Sequence, residues 1–167
     1  MRCIADTAPR PSGPFVPPSG PVVLRGFHGR DVPGIAQIVA EALHEHYDSS
    51  LYFTLSQAWP DGFLVAADES DRPIGFLLAV SQVPGEARIL MFAVERPHRS
   101  QGLGHRLMET FLERCRARGF EKATLEVRVT NVTAIRFYSR FGYSVTDLLR
   151  GYYSDGENGY QMTRAVG

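Results

Sequence analysis

The sequence predicts an α+β domain in which a mixed, mostly antiparallel sheet of six or seven strands carries helices on both faces. Segments 62–67, 73–81 and 87–94 are rich in β-forming residues and are separated by turn-like residues, which is typical of an antiparallel meander. A helical pattern then precedes the next β-type segment, 122–129. Two strands that are joined by a crossover helix pair in parallel, so the sheet is expected to be mixed.

Length, composition and charge restrict the class of protein. The 167 residues correspond to one domain, and 44% of them are hydrophobic, which is enough for a core. Lys plus Arg (18) balances Asp plus Glu (18), which argues against a dedicated binder of nucleic acid or anionic membranes. No apolar stretch approaches the roughly 18 residues of a membrane helix, and the two cysteines lack metal-type spacing. The expected location is the reducing cytoplasm, with no nucleic acid or membrane as partner.

The N-terminal 21 residues differ from the rest of the chain. Six prolines fall within residues 9–21, together with glycine and serine, and this composition favours extended chain that does not pack. We therefore expect residues 1–21 to form a flexible proline-rich extension and residues 22–167 to form the domain.

The domain begins with a short β-type run at 22–27 and continues with a helix. Asp31 is the expected N-cap of this helix. Apolar residues at helical spacing mark its buried face: Ile35, Ile38, Val39, Ala42 and Leu43. A weaker helical pattern at about 49–58 precedes the meander.

The second half of the domain starts with a long helix that Gly119 ends. Its buried face is formed by Leu103, Leu107, Met108, Phe111, Leu112 and Cys115. After strand 122–129 a short helix at about 133–140 stops at Gly142, and strands near 143–149 and 158–164 complete the sheet.

The hexapeptide Arg99–Gly104 lies between a strand and the start of the long helix. A helix N-terminus exposes backbone N–H groups without partners, and glycine lets an anion approach them closely. The segment is therefore a candidate phosphate cradle, although the glycines could also serve only to shape a turn. Leu107 occupies the third glycine position of a dinucleotide fingerprint, and no Gly-Lys-Ser/Thr sequence follows, so neither nucleotide motif is present.

Glu126 lies in the middle of an apolar strand. Leu125, Val127 and Val129 are expected on one face of this strand, and Thr124, Glu126 and Arg128 on the other. A carboxylate at a strand centre is costly to bury unless it is paired or hydrated. Two interpretations remain open: a general base beside a water-filled cleft, or a structural pair with Arg128.

Asn131 and Tyr138 follow this strand. An asparagine at a strand exit can bind backbone or ligand amides, and a tyrosine offers a hydroxyl with a reference pKa of about 10. Tyr138 could equally be a core aromatic residue.

Taken together, these three segments resemble the GNAT superfamily of acetyl-CoA-dependent N-acetyltransferases. Arg99, Gly102 and Gly104 match its pyrophosphate loop. Within that superfamily, the sequence from Leu125 to Gly142 is similar to protein N-terminal acetyltransferases, especially the RimI (ribosomal-protein alanine acetyltransferase) type. The resemblance covers about residues 22–164 and implies a sheet that splays where segment 87–94 meets segment 122–129.

The resemblance also implies roles for individual residues. Glu126 would be the general base, and Tyr138 would protonate the departing thiolate. The Val94 N–H would lie near the thioester oxygen. The acetyl-CoA contacts would come from the backbone of Phe92, Ala93 and Val94 for the pantetheine arm, from Arg99, Ser100, Gln101, Gly102, Leu103, Gly104 and His105 for the pyrophosphate, and from Asn131 and Tyr138 near the pantetheine and its thiol.

Two loops are expected to hold the acceptor. Residues 43–47 partly match a segment that lines the peptide entrance in archaeal and eukaryotic N-terminal acetyltransferases, with Glu45 and Tyr47 as candidate contacts; Tyr152 and Tyr153 would approach from the last loop. His44 and His46 have no third ligand at a supporting spacing, so no metal is expected.

The predicted function is acetyl transfer from acetyl-CoA to a protein or peptide N-terminal amine, for which a ribosomal protein is a candidate. Cys115 has no adjacent histidine, so the amine is expected to attack the thioester directly, without an acyl-enzyme. The alternatives are acetylation of a small amine, polyamine or antibiotic, and a non-catalytic CoA-binding or interaction module. Both a monomer and a homodimer are compatible with the sequence.

Overall fold

One mixed sheet organises the fold. The structure, a computed structural model, describes residues 4–5 and 20–167, so most of the predicted extension lies outside the described residues. The strands are β1 (Ile4–Ala5), β2 (Val23–Gly26), β3 (Phe63–Ala67), β4 (Pro73–Val80), β5 (Glu86–Val94), β6 (Lys122–Arg128), β7 (Ser144–Leu149) and β8 (Gly159–Ala165). They lie in the order β2-β3-β4-β5-β6-β8-β7, and β1 pairs with β5. Only the pairs β5–β6 and β1–β5 are parallel, which confirms the predicted mixed, mostly antiparallel sheet.

Helices cover both faces of the sheet, as predicted. They are α1 (Val32–Leu43), α2 (Ser49–Ala58), α3 (Leu103–Arg118) and α4 (Val132–Arg140). One core cluster joins α1 and Tyr52 of α2 to the sheet, and a second joins α3 and α4 to the opposite face. Among the described residues, none of the helices combines the length and the apolar character that a membrane span requires.

Helix α1 is stabilised by the burial of its predicted apolar face. All five predicted apolar positions, from Ile35 to Leu43, are buried against the sheet, and a fully buried aliphatic side chain contributes about 1.5–3 kcal/mol. Asp31 occupies the N-cap position, but its side chain makes no capping hydrogen bond there. The carboxylate binds Arg25 instead, at 2.8 Å to each oxygen, and this ion pair joins β2 to the start of α1.

Strands β5 and β6 separate after a short paired stretch. Glu86, Ala87 and Arg88 pair with Lys122, Ala123 and Thr124, and no later pair forms between these two strands. Beyond that point β5 contains a bulge, because Ile89 pairs with Ala79 and Met91 with Leu78, which leaves Leu90 as an extra residue. A bulge bends and twists its strand. The two strands therefore enclose a V-shaped gap, the splay that the resemblance implies.

Candidate active site

The loop before α3 leads from the end of β5 to the start of the helix. Gly102 is the N-cap residue of α3 and has a φ of 80°, and a Cβ added there would meet nothing within 4 Å. Ser100 also has a positive φ, 62°, which is unusual for a residue with a side chain. The first N–H groups of α3 have no partner within the helix, so this end can bind an anion. These features fit the predicted phosphate cradle.

Gly104 lies in the first turn of α3 and controls the space beneath it. A Cβ at this position would lie 3.5 Å from Phe92 Cζ and 3.7 Å from the ring of Phe137, at ordinary contact distance. An alanine therefore fits, whereas a larger side chain would fill the space between the helix and Phe92. Gly104 thus keeps that space open, and Gly102 supplies the backbone conformation.

The side chains of this loop stabilise its shape. Arg99 Nε donates to the Val94 carbonyl at 2.8 Å, and Gln101 Nε2 donates to the Pro97 carbonyl at 3.3 Å. The Leu103 side chain is buried in the core, so only its backbone can face an anion. His105 is exposed and lies 3.1 Å from Glu109. The Arg99 and Gln101 side chains are thus used within the loop, whereas the His105 side chain stays exposed at the start of α3.

The edge of β5 that faces the splay carries the predicted pantetheine contacts. In the structure this edge pairs in parallel with β1, with Ile4 opposite Met91 and Ala5 opposite Phe92. The edge can therefore accept an extended segment. A pantetheine arm that paired with Phe92 would take the place of this short strand.

Glu126 projects from β6 beside the splay. Leu125 and Val127 belong to the core cluster of α3 and α4, so Glu126, between them, points to the opposite face, as predicted. Its side chain is 5% exposed and pairs with Arg88 of β5, whose Nε lies 3.0 Å from Oε1 and whose Nη2 lies 3.1 Å from Oε2. The structural alternative, a pair with Arg128, is not formed.

Arg128 has other partners. Its Nη1 donates to Asp155 at 2.8 Å and to Glu157 at 2.6 Å, and its guanidinium lies 4.1 Å from the centre of the Tyr153 ring. Hydrogen bonds from the Thr130 hydroxyl and from Arg128 lower the pKa of Glu157. Arg128 therefore anchors the loop between β7 and β8 beside Glu126.

Tyr138 is fully buried on α4, in the core cluster that also contains Phe92. Its ring centre lies 6.4 Å from that of Phe92 and 5.8 Å from that of Tyr143. Tyr138 and Glu126 thus approach the splay from opposite faces of the sheet. This arrangement separates a candidate acid from a candidate base.

A cleft of about 580 Å³ opens on the face of Glu126. It is lined by residues of both predicted acceptor loops, Glu45 from one and Tyr153 from the other, and by Arg128 and Asn131 at the end of β6. The Asn131 Oδ1 oxygen accepts from the Ala134 N–H at 3.1 Å and so caps α4. The oxygen of the Asn131 side chain therefore stabilises the start of α4.

The other two predicted acceptor residues have different surroundings. Tyr47 packs against the core cluster of α1, and Tyr152 accepts a hydrogen bond from Arg88 Nη2 at 3.3 Å. Neither is among the residues that line the cleft. Tyr152 nevertheless connects the last loop to the Arg88–Glu126 pair.

Cys115 and possible metal ligands were the two alternatives to direct, metal-free acetyl transfer. Burial raises the pKa of Cys115 to about 12, so its thiolate is scarce near neutral pH. In the described part of the chain, no group of three or more His, Cys, Asp or Glu residues could hold a metal ion.

Arg88 is the residue that sequence reasoning missed. It is the one charged residue within the otherwise apolar run from Ala87 to Val94. An isolated charge in a strand of this kind signals a buried partner. The partner is 38 residues away along the chain, so only the fold identifies it.

Comparison with known proteins assigns this chain to one class of enzyme. Residues 32–143 match the model of the acetyltransferase (GNAT) family. The chain belongs to that family, which confirms the predicted resemblance and, at this level, the expectation of an acetyl-CoA-dependent N-acetyltransferase.

Several named acetyltransferases are similar to this chain in sequence or in structure. The chain is 34% identical to an uncharacterised N-acetyltransferase of Methanocaldococcus jannaschii, over 86% of this chain and 91% of the relative. It is 30% identical to N-alpha-acetyltransferase 30 of Schizosaccharomyces pombe, over 76% and 87%. The crystal structure of Ard1 from Thermoplasma volcanium superposes with a TM-score of 0.83 and 37% identity, covering 87% and 98%. The ribosomal-protein-S18-alanine N-acetyltransferase of Escherichia coli shares the fold, with a TM-score of 0.75 at 22% identity over 87% and 94% of the two chains.

Proposed function

We propose that this protein transfers the acetyl group of acetyl-CoA to the N-terminal α-amine of a protein or peptide. The observation that carries the proposal is the buried Glu126 carboxylate, which lies beside the splay on the same face as the cleft. The similarity to enzymes named N-alpha-acetyltransferases supports the choice of acceptor. A ribosomal protein is one candidate acceptor, and the cytoplasm is the proposed location.

The acetyl-CoA end of the site uses backbone groups. The N–H groups at the start of α3 would bind the pyrophosphate, with Gly102 allowing its close approach. The β5 edge at Phe92–Val94 would hydrogen-bond to the pantetheine arm as a further strand would. Such backbone contacts fix the position of the thioester without depending on side-chain rotamers.

The part of the site that binds the acceptor contains the general base, Glu126. An α-amine has a reference pKa of about 8, so part of it is protonated at neutral pH and a base must remove a proton before or during attack. Glu126 would take this proton directly or through a water. The nitrogen lone pair then attacks the thioester carbonyl carbon, and the Val94 N–H would stabilise the charge on the oxygen.

Collapse of the tetrahedral intermediate breaks the C–S bond. The sulfur leaves with the bonding electrons, and Tyr138 would donate the proton that converts the thiolate to a thiol. The nitrogen loses its second proton as it becomes the amide nitrogen, and this proton would pass through water to restore the Tyr138 hydroxyl. The placement of Tyr138 and Glu126 on opposite faces supports this division, because the amine approaches the reacting carbon from one side and the thiolate leaves it on another. No covalent enzyme intermediate is required.

The two loops around the cleft favour an extended peptide as acceptor. Glu45, Asp155 and Glu157 place carboxylates along the cleft, and Arg128 offsets part of their charge. An amine cation is attracted to such a surface. A lysine side chain would have to enter the same gap while its flanking backbone remains outside.

The test is CoA release from acetyl-CoA with matched acceptors. We expect a peptide with a free N-terminus to be acetylated at least about ten times more efficiently than the same peptide with a blocked N-terminus and an internal lysine, a difference of about 1.4 kcal/mol. Small amines and polyamines form the third arm. Equal or better kcat/KM on the blocked lysine peptide, or activity confined to polyamines, would refute the N-terminal acceptor. Absence of turnover with every acceptor would support the non-catalytic alternative.

A second test addresses the acid. Tyr138→Phe removes only the hydroxyl, so the ring contacts with Phe92 and Tyr143 remain. We expect lower kcat with little change in acetyl-CoA affinity. Turnover equal to that of the wild type would remove Tyr138 from the mechanism.

A further inference from the structure

Arg88 occupies a distinctive position in the sheet. It is the last residue of β5 that pairs with β6, opposite Thr124, and the splay begins directly after it. Glu126 lies two residues beyond Thr124 and therefore on the same face of β6. The guanidinium thus reaches across the base of the splay to the proposed catalytic carboxylate.

The geometry of the pair restricts the orientation of Glu126. Arg88 Nε lies 3.0 Å from Oε1 and 3.2 Å from Oε2, and Nη2 lies 3.1 Å from Oε2, so both carboxylate oxygens are held by one planar group. Side-chain exposure is 27% for Arg88 and 5% for Glu126. A planar guanidinium that holds both oxygens fixes the plane of the carboxylate, which a lysine ammonium does not do.

Tyr152 extends this contact to the acceptor side. Its hydroxyl accepts from Arg88 Nη2 at 3.3 Å, and its ring packs edge-on against that of Tyr153, with centres 5.1 Å apart. Tyr153 lines the cleft and lies under Arg128. A continuous set of contacts therefore runs from the cleft wall through Arg88 to the carboxylate.

We propose that Arg88 is a positioning residue, which orients the Glu126 carboxylate toward the acceptor amine and is itself held by Tyr152. This inference rests on the proposed function, in which Glu126 is the base. Arg88 does not touch the reacting atoms. It acts by keeping the carboxylate in one orientation, so its loss lowers kcat and leaves acetyl-CoA binding intact.

The test is a double-mutant cycle on kcat, with Arg88→Met, Glu126→Gln and the double variant. We expect Arg88→Met to lower kcat by about 10- to 100-fold, with the KM for acetyl-CoA changed by less than about twofold. In the Glu126→Gln background the same substitution should lower kcat by less than about twofold, because Arg88 acts only through the carboxylate. Losses that multiply in the double variant would overturn the inference.

Two conservative variants keep the test decisive. Arg88→Lys retains the cation without the planar group, so it should fold even if Arg88→Met does not, and its kcat should lie between those of the wild type and Arg88→Met. Tyr152→Phe should lower kcat less than Arg88→Met does, and only when Glu126 is present. Wild-type kcat in Arg88→Lys would overturn the inference, because the orientation of the carboxylate would then not matter.

Arg25→Met is the matched control. Arg25 is 15% exposed and pairs with Asp31, which is 1% exposed, so it resembles Arg88 in burial but lies away from the splay. We expect it to lower the melting temperature without changing kcat. A wild-type protein that acetylates no N-terminal peptide would refute the proposed function itself, whereas an active wild type with multiplying losses would refute only the role of Arg88.

Discussion

Two arginine–carboxylate pairs in this molecule have similar burial but different surroundings. Asp31 accepts from Arg25 Nη1 and Nη2 at 2.8 Å each and also from the His28 backbone N–H at 2.7 Å. Glu126 accepts, among the described residues, from Arg88 alone. The first carboxylate joins β2 to α1, and the second lies at the splay.

The difference concerns the groups that hold each carboxylate and where those groups lie. A carboxylate has about four lone-pair sites, and both Asp31 and Glu126 accept three hydrogen bonds. Asp31 is held by a guanidinium and by a backbone N–H, whereas all three bonds to Glu126 come from one guanidinium across the base of the splay. Burial and pairing therefore do not separate a structural carboxylate from a candidate catalytic one; the position in the fold does.

The two ends of α3 also differ in the groups that cap them. At its C-terminal end, the Gly119 and Phe120 N–H groups donate to carbonyls of the last turn at 2.9 and 3.0 Å. At its N-terminal end, Gly102 provides no side-chain cap for the first N–H groups. One end is capped by hydrogen bonds of the chain itself, and the other has no side-chain cap.

The largest effect is expected for Glu126→Gln. If the carboxylate removes the proton of the amine, kcat should fall by roughly 10²- to 10⁴-fold with little change in acetyl-CoA affinity. Steady-state kinetics and calorimetry with CoA measure the two quantities. A variant with a strongly lowered melting temperature whose folded fraction keeps the wild-type kcat would show that Glu126 belongs with Asp31 as a structural ion.

Asp31→Asn should produce the reverse pattern. Removing the charge of Asp31 breaks a buried ion pair and leaves Arg25 with Asp71, 2.8 Å from its Nε, as its remaining carboxylate partner. We expect a loss of up to about 3 kcal/mol in the free energy of unfolding. Urea denaturation measures this loss, and kcat of the folded variant should match that of the wild type. A selective fall in kcat would break the distinction between the two pairs.

The ends of α3 allow a comparison of matched glycines. Gly102 has a φ of 80° and Gly119 a φ of 77°, and a Cβ at either position would meet nothing within 4 Å. Alanine at each should therefore cost a similar free energy of unfolding, about 1–2 kcal/mol. Only Gly102→Ala should weaken CoA binding, by about tenfold or more in calorimetry. Equal CoA affinity in the two variants would refute the phosphate cradle.

The smallest effect is expected for Cys115→Ser. Because burial raises the pKa of this thiol to about 12, it carries little thiolate at neutral pH and takes no part in acetyl transfer. Turnover should stay within about twofold of the wild type. Loss of activity in a folded variant, or an acetyl group found on Cys115 by mass spectrometry, would contradict direct attack.

The sequence predicted most of this fold because its elements depend on local pattern. The apolar spacing of Ile35 to Leu43 and the alternation around Glu126 identify buried faces without knowledge of partners. The pairs across the sheet could not be predicted in this way. Asp31 was expected to cap α1 but binds Arg25. A pair with Arg128 was one of two interpretations of Glu126, which binds Arg88 instead. Both partnerships depend on strand register.

The bulge in β5 has a consequence for how this family can change by insertion and deletion. Ile89 and Met91 already point to opposite faces, so removing Leu90 would leave every core side chain on its present side and would restore a regular ladder with β4. The bend that carries β5 away from β6 would then be lost. Deletion of one residue would thus convert the splayed sheet into one whose β5 follows a regular ladder, without moving any other core side chain to the opposite face.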